Sequence, residues 1–197
     1  MKIKDIFKEV FIGVNLNNYQ NETNTQEVFT FKKENIVYNS ILYNDYGYNK
    51  FKNHIKYESL PNTEFSKIKV SNKISNKYFV TFNDIVITKK KPYKVFTDII
   101  TRNERIIATN NYIILRGIID EFYAPFVTYY IENKGIKEYL KNNKRKNSEL
   151  SIEDIENIEI PNISKKEQID RYLEIETRIN KILEYQDQIE EILNKEN

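Results

Sequence analysis

The period of the apolar positions changes several times along the chain, and each change predicts a new element. Ile3, Ile6, Phe7, Val10 and Phe11 recur at three- and four-residue steps, which predicts a short opening helix closed at Gly13. Asn15 to Thr25 is polar and rich in Asn, a loop, before the strand-like runs Glu27 to Phe31 and Asn35 to Leu42. Residues 38 to 57 interleave Tyr38, Tyr43, Tyr46, Tyr48, Phe51 and Tyr57 with Asn, Lys and Gly47, giving either an aromatic core seam or an exposed binding loop. Tyr78 to Phe82 and Ile85 to Thr88 have β-type composition, and Arg105 to Leu115 predicts a further buried strand after a turn at Arg102-Asn103-Glu104. Residues 120 to 133 return to helical period, with Phe122, Phe126, Tyr129 and Tyr130 on one side, Pro125 in the first turn and Gly135 as the C-terminal cap.

Two capping signals open the last fifty residues. Ser151-Ile-Glu-Asp154 can satisfy the orphaned N–H groups of a short helix, with Leu150 stapled onto Ile155, and Glu159-Ile-Pro161 follows as an extended piece. Ser164-Lys-Lys-Glu167 is the second box, and no Gly or Pro interrupts the helix after it. Tyr172, Ile175, Ile179, Ile182, Gln186, Ile189 and Leu193 alternate three and four residues apart along this helix, the pattern of a coiled-coil seam. About 30 residues at ~1.5 Å each make a rod of roughly 45 Å. Leu173, Leu183, Tyr185 and Ile192 widen the stripe, so the rod is expected to pack on something besides a single partner helix, and Gln186 can fix register. The alternative is a helix folded back on its own domain. The fold class expected is α+β, a globular mixed domain over 1–162 followed by a long coiled-coil helix over 163–197.

Charge also divides the chain, near residue 149 and so ahead of that boundary. Residues 149 to 197 hold 14 acidic against 6 basic residues, a charge of −8, whereas the remainder holds 25 basic against 15 acidic, a charge of +10, inside a total of only +2. A basic body joined to an acidic tail points toward nucleic acid as partner. With 40% hydrophobic and 13% aromatic residues and four Gly and four Pro in 197 residues, the body is expected to fold. The absence of Cys removes disulfides, thiolate metal sites and a Cys nucleophile, and the one His leaves little for zinc or a Ser/His relay. The N-terminus alternates charged and apolar residues with no long apolar run, so neither a signal peptide nor a membrane span is expected and the protein is placed in the cytoplasm. The weight of Asn, Lys, Ile and Tyr resembles the coding bias of an AT-rich bacterium.

Little catalytic chemistry is visible. There is no Gly-rich phosphate loop, dinucleotide fingerprint or Asn/Asp-Pro-Pro-aromatic motif. Asp120 with Glu132-Asn-Lys134 is the one nuclease-like set, better explained as a solvated helix face, and His54 has no second His or Cys with which to share a metal. The lysines are the stronger signal. Lys67, Lys69, Lys73, Lys77, Lys89, Lys90, Lys91 and Lys94 lie close in sequence against a single acidic residue, Asp84. Clustered cations release counterions from a phosphate backbone. Lys67 and Lys69 share a strand face, whereas Lys89, Lys90 and Lys91 sit at a hairpin tip from which all three can reach outward. An ordinary solubilising surface is the competing explanation.

An ordered set of motifs favours nucleic acid. Lys2-Ile-Lys-Asp-Ile-Phe-Lys-Glu-Val10 with Gly13, Asn83-Asp-Ile-Val-Ile87, Thr109-Asn-Asn-Tyr-Ile-Ile-Leu-Arg116, Tyr123-Ala-Pro-Phe-Val-Thr-Tyr-Tyr130, Leu150-Ser-Ile-Glu-Asp-Ile-Glu-Asn-Ile-Glu-Ile-Pro161 and Glu167-Gln168 follow one another in the chain. This series resembles a target-recognition domain, with its following helix, from the specificity subunits of type I restriction-modification systems. Lys89-Lys-Lys stands where that family has a glycine, and Asn162 where it has a second proline. The resemblance implies a non-catalytic subunit that reads one half of a split DNA site. Methylation and cleavage would belong to methyltransferase and restriction subunits, with S-adenosylmethionine bound by the methyltransferase and no cofactor in this chain.

Family members carry two recognition domains and two such helices, and this chain has one of each. The resemblance therefore implies a half-length subunit that dimerises through the seam residues and, as a two-fold dimer, reads an inverted repeat of double-stranded DNA. On this reading Arg102, Arg105, Lys144, Arg145 and Lys146 join the lysines as DNA contacts, Arg being suited to bidentate contact with guanine. The protein would associate with the nucleoid when bound. The rival from another class is a coiled-coil interaction or decoy protein that binds methyltransferase partners without reading DNA.

Overall fold

The computed structural model describes residues 1–19, 23–31, 65–91, 93–97, 105–143 and 149–195. In chain order they form α1 (Ile3–Ile6), β1 (Phe7–Ile12), β2 (Thr25–Phe31), β3 (Phe65–Ser71), β4 (Ile85–Thr88), β5 (Val95–Thr97), β6 (Ile106–Ile107), β7 (Tyr112–Ile118), α2 (Ala124–Tyr130), α3 (Ile136–Asn142), α4 (Ile152–Glu156) and α5 (Lys165–Lys195). The first sheet is antiparallel in the order β1-β7-β4-β5. The second has the order β3-β2-β6, with β2 antiparallel to β3 and parallel to β6.

Alternation along the strands builds three layers from these elements. Ile85, Ile87, Ile113 and Leu115 turn toward a core they share with Phe122, Phe126, Val127, Ile131, Leu150 and Ile155 of the helical side. Val86, Tyr112 and Ile114 turn the other way, onto Phe31, Ile106 and Ala108. Behind the second sheet Val28, Val70 and Ile107 close a third cluster with Val14, Ile74 and Phe79. Covered on both faces, β4 and β7 are apolar at nearly every position, which is why their sequences lack the polar alternation of a one-sided strand. The architecture is the α+β class expected.

Several local expectations are corrected. The opening helix stops at Ile6, and Phe7 to Ile12 is a strand paired with β7 in the register Phe11↔Ile114. Phe7 and Phe11 are four residues apart, a spacing that satisfies the strand period of two as well as the helical one. Gly13 does not cap a helix. A Cβ there would collide with the backbone oxygens of Ala108 and Thr109, where the chain leaves β1 for its parallel bridge between Val14 and Thr109. Tyr78 to Phe82 is not a strand: Asn76–Tyr78 is a 3-10 turn and Phe79 makes a single bridge to Ile107. Arg105 to Leu115 is not one strand but two, β6 and β7 in different sheets, separated by a turn at Asn110 and Asn111.

Gly135 likewise caps nothing. After α2 the helix passes through a π turn, Ile131–Gly135, and continues as α3. The missing side chain lets Ile158 approach, its Cγ2 standing 2.8 Å from where a Cβ would be. Pro125 does lie in the first turn of α2. The strand expected at 35–42, the aromatic stretch at 38–57 and the turn at 102–104 fall outside the described residues.

The first capping box forms as its residues require: Ser151 Oγ accepts from Asp154 N at 3.1 Å while Asp154 Oδ2 accepts from Ser151 N at 2.9 Å. At the second, Ser164 Oγ caps the helix by accepting from Glu167 N at 3.2 Å, and the Glu167 carboxylate accepts from Arg171. Between them, Glu159 bridges Lys2, Ile160 N donates to Met1 O at 2.7 Å and Ile3 N donates to Ile158 O at 3.0 Å. The first residues are thereby tied to the segment that leads into α5.

Candidate nucleic-acid interface and the docked helix

The described lysines occupy different elements rather than one face. Lys67 and Lys69 project from the exposed side of β3, opposite Phe29 and Glu27 of β2, and Lys67 Nζ lies 5.6 Å from the Phe29 ring centroid. Lys73 is exposed in the turn after β3. Lys77 carries its ammonium 4.9 Å from the ring centroid of Phe11 and 5.7 Å from that of Tyr78. An ammonium parked on a ring keeps access to solvent, at a gain of roughly 0.5–1 kcal/mol.

Lys89 to Lys94 link the antiparallel pair β4 and β5, so the hairpin tip expected there is present. Its lysines do not all reach outward. Lys89 is only 13% exposed and forms an ion pair with Glu149, and Leu150 N donates to Lys89 O at 2.7 Å, so this lysine seams the hairpin to the segment entering α4. Lys89 accordingly holds the Glu149 carboxyl below the usual Glu range. Lys90, 73% exposed, is 3.6 Å from the same carboxylate, and Lys91 is exposed. Lys94 is half-buried, its backbone N–H donating to Thr88 Oγ1 at 2.7 Å.

Arg105 has a structural task. Its guanidinium donates to Gln26 Oε1 and Asn76 Oδ1, both at 2.8 Å, and stacks with Cζ 3.8 Å from the centroid of Phe79. Two of its five donors are therefore committed to joining β2 to the 3-10 turn. Arg102, Lys144, Arg145 and Lys146 lie outside the described residues, as does His54. Asp120 is exposed in the turn after β7, Glu132 Oε1 accepts from Val95 N at 3.4 Å, and Lys134 is 3.7 Å from Glu138. Among the described residues no three His, Cys, Asp or Glu side chains are placed to hold a metal ion.

Two further anchors hold the body together. Asp84 is buried and accepts from Arg116 Nε at 3.0 Å and from Thr81 N at 2.8 Å, while Arg116 also donates to the carbonyls of Lys77 and Phe79 at 2.9 and 2.7 Å. This pair fixes the loop that carries Lys77. It also fixes the turn in which Asn83 takes a φ of 65°, a left-handed conformation that Asn tolerates better than most side chains. Gln168 is fully buried at the start of α5. Its Oε1 accepts from Tyr123 N at 2.9 Å and its Nε2 donates to Glu121 O and Ile163 O, both at 3.0 Å. An amide at this position bolts the long helix to the turn between β7 and α2. The Glu167-Gln168 helix start was legible, but its partners Tyr123 and Glu121, more than forty residues away, were not.

The seam residues divide between body and rod. Tyr172, 4% exposed, belongs to the core, with its ring edge-on to Tyr123 at 5.7 Å between centroids. Its side chain is therefore not available for dimerisation, and the core extends beyond the boundary expected at 162. Ile175 is half-buried. Beside it Glu176 is half-buried, which raises its pKa, and burial together with the Glu176 charge raises that of Tyr123. Ile179, Ile182, Gln186, Ile189 and Leu193 occupy the next turns of α5, where Tyr185 and Ile192 on a flanking stripe are 63% and 58% exposed.

No family model matches the sequence, and no curated protein matches it either. Solved structures do share its fold. A chain from the structural study of complex assembly and conformational transition of the type I R-M system superposes with a TM-score of 0.57 at 15% identity, covering 99% of this chain and 42% of that one. The HsdS subunit from Thermoanaerobacter tengcongensis gives 0.59 at 12% identity, covering 95% of this chain and 43% of that one. The chain therefore has an HsdS-like fold, as the motif resemblance implies, and spans less than half the length of either neighbour.

Proposed function

We propose that this chain is a half-length, sequence-specific DNA-recognition subunit of a type I restriction-modification complex, and that two copies pair through the distal part of α5 to read a bipartite inverted repeat. The observation that carries the proposal is the fold match, which takes in 99% of this chain within 42% of a neighbour's. Residues 1–148 supply the positive charge, 25 basic against 15 acidic residues. Lys67, Lys69, Lys73, Lys77, Lys90 and Lys91 are exposed cations able to engage phosphates, while α5, with 8 acidic against 6 basic residues, offers no cationic surface of that kind and leaves Tyr185 and Ile192 in solvent. Lys89 and Arg105 act through the body, holding the hairpin and the 3-10 turn in place.

In this reading the chain performs no chemistry. Its partners are methyltransferase subunits, which would bind S-adenosylmethionine, with a restriction subunit as a further partner. The chain, alone and co-expressed with methyltransferase subunits, is expected to bind duplex DNA with an affinity that falls steeply between about 50 and 200 mM salt. Light scattering should give twice the chain mass. Absence of salt-sensitive duplex binding in both preparations would leave the decoy reading in its place, and a strict monomer at high concentration would remove the paired half-subunit.

A further inference from the structure

Tyr93, Ile136 and Leu140 form the floor of a surface cleft of about 330 Å³ between the β4–β5 hairpin and α3. Lys91 stands on the hairpin side, and Lys137 and Lys141 stand on the helix, one turn apart and therefore on one face. Both helix lysines are exposed, and among the described residues neither forms an ion pair. Glu132 also lines the cleft, and one of its carboxylate oxygens already accepts from Val95 N. Three cations against one engaged carboxylate leave the cleft with a formal charge of +2. Lys91 is contiguous with the exposed Lys90, so the cleft extends the hairpin tip's positive surface onto α3.

We propose that this cleft grips the sugar-phosphate backbone of duplex DNA beside the bases being read, and so positions the duplex without reading it. The inference rests on the DNA-recognition reading above and adds a site to it. The chemistry of the lining decides the class of contact. Lysine is a mobile point charge that suits a phosphate, and the cleft holds neither the planar fork of Arg nor an amide, the groups that pair with base edges in fixed geometry. An apolar floor fits deoxyribose. The C-terminal end of α3 disfavours an anion through its dipole, so Lys137 and Lys141 must carry the attraction. Neither residue drew attention in the sequence, because a lysine pair on a helix is ordinary until a third lysine from a distant hairpin faces it.

The test compares the wild-type chain, K137A/K141A and the exposed-helix control K181A in duplex binding across a salt series, with sequence preference measured by selection from a randomised duplex pool. Each lost phosphate contact lowers the slope of log K against log salt by roughly 0.9, so the double variant should lose about 1.8, which makes its affinity loss between 50 and 200 mM about 12-fold smaller than that of the wild type. The selected motif should stay the same, and K181A should match the wild type. All three residues are exposed, so equal melting curves will establish that the fold is retained. An unchanged slope in a double variant of a DNA-binding wild type overturns the cleft while leaving the recognition reading intact. An altered motif also overturns it, because the cleft would then read bases. A wild type that binds no duplex refutes the recognition reading itself and the cleft with it.

Discussion

Replacing Gln168 probes the bolt that fixes the long helix to the body. Gln168→Leu keeps the volume but leaves Tyr123 N–H without its acceptor and the Glu121 and Ile163 carbonyls without their donor. A buried group left unsatisfied costs about 1–3 kcal/mol, with carbonyls toward the low end because a second lone pair can find another partner. The expected loss is therefore roughly 2–4 kcal/mol, or about 4–16 °C in Tm for a domain of this size. Gln168→Glu should be worse at neutral pH, since it aims a carboxylate at two carbonyl oxygens. Its folded-state pKa would be raised, so the folded form would bind the proton more tightly than the unfolded form, and stability should recover as pH falls. Thermal unfolding of wild type and both variants at neutral and acidic pH reads these effects. A Leu variant within about 0.5 kcal/mol of wild type, the range of an inert surface change, or a Glu variant no worse than Leu at neutral pH, would refute the bolt.

Other residues give contrasts of the same kind. Tyr172→Ala should destabilise the body by about 3–5 kcal/mol as a large core truncation, whereas Ile182→Asp should leave the body's unfolding intact and, under the proposed pairing through α5, give monomers only, as followed by calorimetry and light scattering. Asn83→Gly should be neutral or stabilising, while Asn83→Val should cost roughly 1–2 kcal/mol in a denaturant titration, because a β-branched residue resists the φ of 65°. Glu149 and Glu176 should show opposite pH signatures in melting curves. Glu149 has a lowered pKa, so its contribution is present above the unfolded Glu pKa and vanishes in acid, and the deficit of Glu149→Gln should shrink as pH falls. Glu176 has a raised pKa through burial, so Glu176→Gln should stabilise at neutral pH and lose that advantage in acid.

What the chain reveals of itself in sequence is mostly local. Ser151 and Ser164 cap helices through N–H groups three residues away, so their boxes are visible without any knowledge of the fold. Phe7 and Phe11 fit either period, and only the pairing of β1 with β7, about a hundred residues on, makes them a strand. Gly13 and Gly135 look like helix ends because nothing local reveals Ala108, Thr109 and Ile158 pressing against them. The charge of the lysine cluster was legible, but not the fate of each member. Lys89 is consumed by Glu149, Lys77 rests on two rings, and Lys91 meets a helix whose own lysines face it. The seam was legible as a stripe, yet Tyr172 at its start serves the core, because the same stripe of the helix runs on from the docked turn into the turns that follow.

Reading by a symmetric pair of chains should leave its mark on the DNA itself. Selection of bound duplexes from a randomised pool, using the full chain alone and with methyltransferase subunits, measures it. The enriched duplexes should carry two half-sites that are inverted copies of each other at a fixed spacing, as a two-fold dimer requires. A pool that emerges without any common sequence, or with a single unrepeated element, would contradict that arrangement.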